Sequence, residues 1–171
     1  MPIVLAIAIV LVATLAAAPS APAKRLVGNK KANLLVGAGK RDDIFGRGGK
    51  DVLVGRNGPD RLYGEKGDDI LLGEAGWDRL YGGGRDDTLD GGGGPDRLYP
   101  GWGTDVVEGG TGNDVIWAGE NDGSLDVIDC GPGADKVTVN RGDRVFNCET
   151  VVRLRGRRVP GRLWIDWNEE N

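Results

Sequence analysis

Two apolar patterns divide the chain. Near its start, residues 3–18 form an uncharged and almost wholly apolar run. It is shorter than the span of about 20 residues that crosses a membrane as a helix. From Gly28 the apolar positions become sparse and regular. Cut every nine residues from Gly28 to Trp117, the chain falls into ten segments without a gap. Position eight is aliphatic in all ten, as Leu35, Ile44, Leu53, Leu62, Leu71, Leu80, Leu89, Leu98, Val107 and Ile116. Its neighbours at seven and nine vary between apolar, charged and aromatic. Side chains alternate along a strand, so this pattern predicts a very short strand over positions seven to nine, with eight alone facing inward. Positions one to five are rich in glycine, which supplies the φ > 0 that tight turns need.

A second period lies on the first. Every other segment ends in an aromatic, namely Phe45, Tyr63, Tyr81, Tyr99 and Trp117, and three of these close the tetrapeptide Asp-Arg-Leu-Tyr. The structural unit is therefore a pair of nine-residue halves, set on opposite faces of a flattened parallel coil. Five turns spaced about 4.8 Å apart make a rod roughly 24 Å long over residues 28–117. Arg61, Arg79 and Arg97 share the outward face with the tyrosines, where modest cation–π contacts are expected. The core is thin, because each turn gives it only two uniformly aliphatic side chains.

Composition narrows the chemistry. The chain has 171 residues, 31 of them glycine, no histidine, two cysteines and a net charge of −4. Without histidine there is no Ser-His-Asp triad, no Cys-His pair and no His-based zinc site. Two cysteines cannot make a four-thiolate zinc site. No Gly-x-Ser-x-Gly elbow or phosphate loop is present, so the sequence reads as a non-enzyme. A mildly acidic chain is a poor partner for nucleic acid.

Of the 26 acidic residues, 19 are Asp. Nine of these occupy position six: Asp42, Asp51, Asp60, Asp69, Asp78, Asp87, Asp96, Asp105 and Asp114, with Asn33 in the first segment. In a coil of two nonapeptides per turn they form two columns, one at each edge. Like charges stacked at strand spacing repel unless something lies between them. Calcium resolves this, since it takes six to eight oxygens from carboxylates and backbone carbonyls. Each ion is expected between successive turns.

This pattern resembles the RTX, or haemolysin-type, calcium-binding nonapeptide repeat, G-G-x-G-x-D-x-U-x. The resemblance implies an all-β parallel β-roll, a β-helix solenoid with two nonapeptides to each turn and several Ca2+ ions in the turns. Carried over by position, the side-chain ligands are the nine aspartates. The carbonyl ligands are those of turn residues such as Gly46, Gly48, Gly64, Gly82, Gly84, Gly91 and Gly93. Asn33, Asp126 and Asp135 are weaker candidates. The second glycine of the motif is replaced by Asn29, Ala38, Arg47, Arg56, Glu65 and Glu74, and the fourth by Lys31, Lys40 and Arg85. These departures place the best sites between Asp60 and Asp114.

The ends have other tasks. Residues 1–23, closing on Ala21-Pro22-Ala23, read as a secretory signal peptide, which makes the protein secreted and leaves the mature chain without a transmembrane segment. The roll is expected over 24–117. Over 118–152 the register slips by three and the repeats degenerate, with Asn121 and Asp122 in a bulging loop as low-ranking ligands. Cys130 and Cys148 are separated by two nonapeptide lengths, one full turn of the coil. A disulfide is the default reading for an exported chain, with two free buried thiols as the alternative. This stretch also looks like the terminal segment of small secreted bacterial proteins with such repeats, and with Phe146 it suits a cap. The tripeptide Arg141-Gly142-Asp143 stands in place of a degenerate repeat and is not read as an adhesion motif. Residues 153–171, basic and Trp-containing, read as a further cap or as a tail that touches an envelope polymer or a partner. Two functions follow. One is a secreted calcium-binding protein in which Ca2+ bridges turns and drives folding. The other is a secreted or cell-surface adhesion module that uses the Arg-Tyr face on an extracellular protein or glycan partner, with calcium purely structural.

Overall fold

The computed structural model describes residues 23–119, 123–159 and 162–167. The apolar run of the expected signal peptide, and Asn121 and Asp122, lie outside them. The strands are short. The first six are β1 (Arg25–Val27), β2 (Leu34–Val36), β3 (Asp43–Phe45), β4 (Val52–Asn57), β5 (Arg61–Lys66) and β6 (Ile70–Ala75). Then follow β7 (Arg79–Gly84), β8 (Thr88–Asp90), β9 (Arg97–Trp102), β10 (Val106–Glu108), β11 (Val115–Ala118) and β12 (Val127–Asp129). The last are β13 (Lys136–Val139), β14 (Arg144–Phe146), β15 (Thr150–Arg153), β16 (Arg155–Val159) and β17 (Arg162–Trp167).

Odd strands β1 to β15 form one eight-stranded sheet and even strands β2 to β14 a seven-stranded one. Every pairing in these two sheets is parallel. The molecule is thus an all-β parallel solenoid of about seven turns. Ile44 pairs with Leu62, Leu62 with Leu80 and Leu80 with Leu98, each exactly two nonapeptides on. The slip after Trp117 is accommodated by one longer turn, across which Val107 pairs with Ile128 and Ile116 with Val137. Among the described residues, β16 and β17 pair only with each other, antiparallel.

Position eight lines the interior as expected. From Ile44 to Ile116 these side chains are 0–1% exposed, and Ile128, Val137 and Val139 extend the column. Burying one such side chain contributes about 1.5–3 kcal/mol. On the outer face of the eight-stranded sheet, Phe45, Tyr63, Tyr81 and Tyr99 stack ring on ring at 4.8 Å, 4–5° from parallel. This corrects the expected Arg-Tyr contacts. In-register strands hold identical side chains one strand spacing apart, so ring meets ring before it meets arginine. The cation–π contact that does form is Arg25 over Phe45, at 5.0 Å, at the free end of the stack.

Cys130 and Cys148 are bonded, with Cα atoms 5.2 Å apart on successive turns. Phe146 is 51% exposed and covers no core, because it sits at the outward position nine of β14. The cap there is Leu154, which is buried and docks through its N–H on the Val139 carbonyl at 2.8 Å.

Candidate metal ladders

The position-six aspartates form two ladders, one at each edge of the solenoid. All nine are 0–1% exposed. The turns bury them because position one, just five residues earlier, is a buried glycine in eight of the nine (Pro100 precedes Asp105), and the carboxylate folds over it. A Cβ built on Gly46, Gly55, Gly64 or Gly73 would lie 2.5–2.7 Å from Oδ2 of Asp51, Asp60, Asp69 or Asp78 respectively. The same point lies 2.5–3.0 Å from the position-one carbonyl of the next turn, Gly64, Gly73, Gly82 or Gly91. Glycine is therefore required there by the approach of oxygens, whatever its φ.

Oδ1 of each carboxylate has a fixed task. It accepts the main-chain N–H of the position-six residue one turn earlier. On one edge Asp42 donates to Asp60, Asp60 to Asp78, Asp78 to Asp96 and Asp96 to Asp114, at 2.6–2.8 Å. On the other Asn33 donates to Asp51, Asp51 to Asp69, Asp69 to Asp87 and Asp87 to Asp105, at 2.7–2.8 Å. The longer turn preserves the rule, with Asp105 donating to Asp126 and Asp114 to Asp135.

The second oxygen is different. Oδ2 of Asp51, Asp60, Asp69, Asp78, Asp87, Asp96 and Asp114 is buried with no hydrogen-bond partner. A buried unpaired acceptor costs about 1–3 kcal/mol, and more if charged. Burial accordingly pushes the Asp60 carboxyl up to about 7, with Asp78 and Asp42 adding repulsion and the Asp42 N–H partly offsetting both. Burial likewise raises Asp87 and Asp96 to about 8, and Asp69, Asp78 and Asp114 to about 6. Asp51 is raised by the same cause.

The first rung of each ladder is closed locally. Oδ2 of Asp42 accepts the Ala38 N–H at 2.6 Å, and Asn33 Oδ1 accepts the Asn29 N–H at 2.7 Å. Neither offers a free oxygen to a cation as the inner rungs do. The expected carbonyl donors also separate. Gly46, Gly64, Gly82 and Gly91 are the position-one residues just described. Gly48, Gly84 and Gly93 stand at position three on the outer turn. There the Gly84 carbonyl accepts the Gly67 N–H at 3.3 Å and the Gly93 carbonyl accepts the Gly76 N–H at 2.8 Å.

Two ladder members escaped the sequence reading. Asp143 Oδ1 accepts the Asp126 N–H at 3.2 Å, and Glu149 accepts the Asp135 N–H at 2.7 Å. They end the two columns. Asp143 belongs to the Arg-Gly-Asp tripeptide, and it is 5% exposed, with Oδ2 on the Asn140 N–H. That burial removes it from adhesion. Its near-regular spacing from Asp126, one short of a full turn, was the available signal. The much shorter step from Asp135 to Glu149 gave none.

Among the described residues no three His, Cys, Asp or Glu side chains converge on one point. Buried carboxylate oxygens beside stacked main-chain carbonyls are instead a set of hard oxygen donors, which suits Ca2+ and not a thiolate- or imidazole-seeking metal. The family model for the RTX calcium-binding nonapeptide repeat matches in six overlapping segments, 27–62, 45–76, 54–84, 73–107, 81–116 and 99–122. Together they span more than half of the chain. The chain belongs to the RTX calcium-binding nonapeptide repeat family. No curated protein matches it. The matched segments take in β2 to β11 and end in the one longer turn of the solenoid.

Proposed function

We propose that this is a secreted calcium-binding protein in which ions held between successive turns drive the folding of the roll. The observation that carries the reading is the row of buried carboxylate oxygens without partners, each beside the position-one carbonyl of the next turn. Calcium supplies the positive charge that such a row needs in order to be buried ionised. The residues proposed to hold it are Asp51, Asp60, Asp69, Asp78, Asp87, Asp96, Asp105 and Asp114, with carbonyls of the position-one residues. Asp126 and Asp135 continue the ladders as weaker members. Asn33 and Asp42 act as turn caps.

Each carboxylate belongs to two turns at once, through Oδ1 to the turn before and through its own backbone. Ordering one turn therefore presents the next. Folding and binding are one event, as in other sites that do not exist in the unfolded chain. Secretion is supported by the apolar run before Lys24 and by the disulfide. The Arg-Tyr adhesion reading is weakened by the aromatic stack, which spends the ring faces on one another.

The test is a far-UV circular dichroism titration with calcium after EGTA treatment, run in parallel with magnesium. A cooperative coil-to-β transition with calcium alone is expected. A β-rich spectrum indifferent to EGTA and calcium overturns the proposal.

A further inference from the structure

Outside the Asp51–Asp69–Asp87 ladder, the tips of the turns form a groove of about 640 Å³ that plays no part in the reading above. Its charged and aromatic walls are Lys30, Lys50, Lys66, Asp68, Arg85 and Trp102. Lys50 is neutralised by Asp68, at 2.5 Å. Lys30, Lys66 and Arg85 are exposed, and among the described residues they form no salt bridge, so the groove is cationic on a chain whose net charge is −4.

The position-three residues run along the groove in the order Lys30, Gly48, Lys66, Gly84, Trp102, one on each successive turn. Lys30 and Lys66 are thus two turns apart, about 9.6 Å by strand spacing, and Trp102 lies two turns further. Between them stand two glycines, of which Gly84 leaves an open hollow and Gly48 is buried against Lys66. A Cβ added at Gly84 would meet nothing within 4 Å, and at Gly48 nothing nearer than 3.4 Å. Along the solenoid axis the groove therefore offers a cation, the flat covered step of Gly48, a second cation, an open hollow at Gly84 and an indole that is 67% exposed. Arg85 flanks the hollow.

We propose that this groove binds a linear acidic polysaccharide in which a uronate alternates with an uncharged sugar. The cation spacing is about the length of one disaccharide in an extended chain, so each lysine meets one carboxylate, one neutral ring passes over Gly48 between them and the next enters the hollow at Gly84. Trp102 stacks on the apolar face of a sugar at the end of the groove. Nucleic acid fits worse. A strand carries a charge roughly every 3.4 Å, several times the density that the groove offers, and the acidic body of the protein repels the excess.

The test uses the full chain in saturating calcium, with circular dichroism recorded first. Binding is measured by calorimetry with a hyaluronan octasaccharide, polygalacturonate, dextran and a single-stranded oligonucleotide. The expected order places the octasaccharide first and dextran at no binding. The double variant Lys30→Gln/Lys66→Gln should lose at least tenfold in affinity, Trp102→Ala should lose several-fold, and Lys136→Gln on the far turn should lose nothing. All should keep the calcium-bound spectrum. A folded protein that ignores the octasaccharide, binds the oligonucleotide more tightly, or binds unchanged in the lysine variant overturns the groove proposal and leaves the calcium reading standing. A roll that proves folded without calcium overturns the calcium reading, and the glycan arm is still read.

Discussion

The main-chain N–H of Asp78 donates to Oδ1 of Asp96, one turn further on, at 2.7 Å, while Oδ2 of Asp96 is buried with no partner. One side chain thus does two jobs that mutation can separate. Asp96→Asn keeps an oxygen for the N–H and removes the charge. A charged hydrogen-bonding group contributes about 1.5–3 kcal/mol, so the calcium midpoint should rise roughly ten- to a hundredfold. Asp96→Ala loses the rung as well, and its calcium-saturated melting temperature should fall below that of the Asn variant. Equal calcium midpoints for Asp96→Asn and the parent chain would remove Asp96 from the ligand set.

The raised carboxyls make a prediction for the calcium-free chain. Asp87 and Asp96 are pushed to about 8, Asp60 to about 7, and Asp69, Asp78 and Asp114 to about 6, from an ordinary 3.8. The folded state then holds protons that the unfolded chain releases, so stability falls as pH rises. In EGTA the β signal should be strongest near or below pH 4 and fade as pH rises from there, being lost by about pH 8. Calcium added in weak buffer at about pH 5, where the folded calcium-free chain still holds these protons, should release them, read directly with a pH electrode. No release, or an apo β signal that grows with pH, would contradict the buried-carboxylate account.

Most of the fold was legible because one rule repeats: position eight is aliphatic and inward from Leu35 to Ile116. The aspartate ladders were legible for the same reason. What escaped depends on relations that period cannot show. The ring stack from Phe45 to Tyr99 follows from strict register, which sequence suggests but does not measure. Asp143 and Glu149 sit where the turns have shortened, so counting by nines misses them. Of the three residues that replace the fourth glycine, Arg85 alone has left-handed backbone, at φ 87°. Lys31 and Lys40 avoid it, whereas Arg47, Arg56, Glu65 and Glu74 at position two all adopt φ of 69–79°.

Those four residues are a reservoir of strain. A left-handed L-residue costs about 1–2 kcal/mol, and glycine's extra entropy in the unfolded chain returns roughly half of that. Arg56→Gly and Glu74→Gly should each stabilise the calcium-bound roll by up to about 1 kcal/mol, seen as a higher melting temperature. Destabilisation by both would show that their side chains make contacts worth more than the strain.

Two glycines should respond in opposite ways to the same methyl group. At Gly73 a Cβ falls 2.5 Å from the Gly91 carbonyl and 2.7 Å from Asp78 Oδ2. At Gly84 it meets nothing within 4 Å. Gly73→Ala should cost about 1–3 kcal/mol through overpacking and shift the calcium midpoint upward roughly five- to a hundredfold. Gly84→Ala should leave the midpoint unchanged. A shared response would mean that the turns relax enough to make the position-one approach unimportant.

The Cys130–Cys148 bond closes a loop one turn long at the end of the solenoid. By the chain-entropy model such a loop is worth about 3 kcal/mol. A solenoid distributes stability by nearest neighbours, so that loss should be local. In Cys130→Ser/Cys148→Ser with calcium bound, amide exchange should quicken in β12 to β15 and stay slow from β4 to β9. The calcium midpoint of the main transition should move less than threefold, because Asp60 to Asp105 lie turns away from the break. Uniform acceleration across all strands would instead make the disulfide part of a single cooperative unit, with folding that depends on closing the C-terminal end.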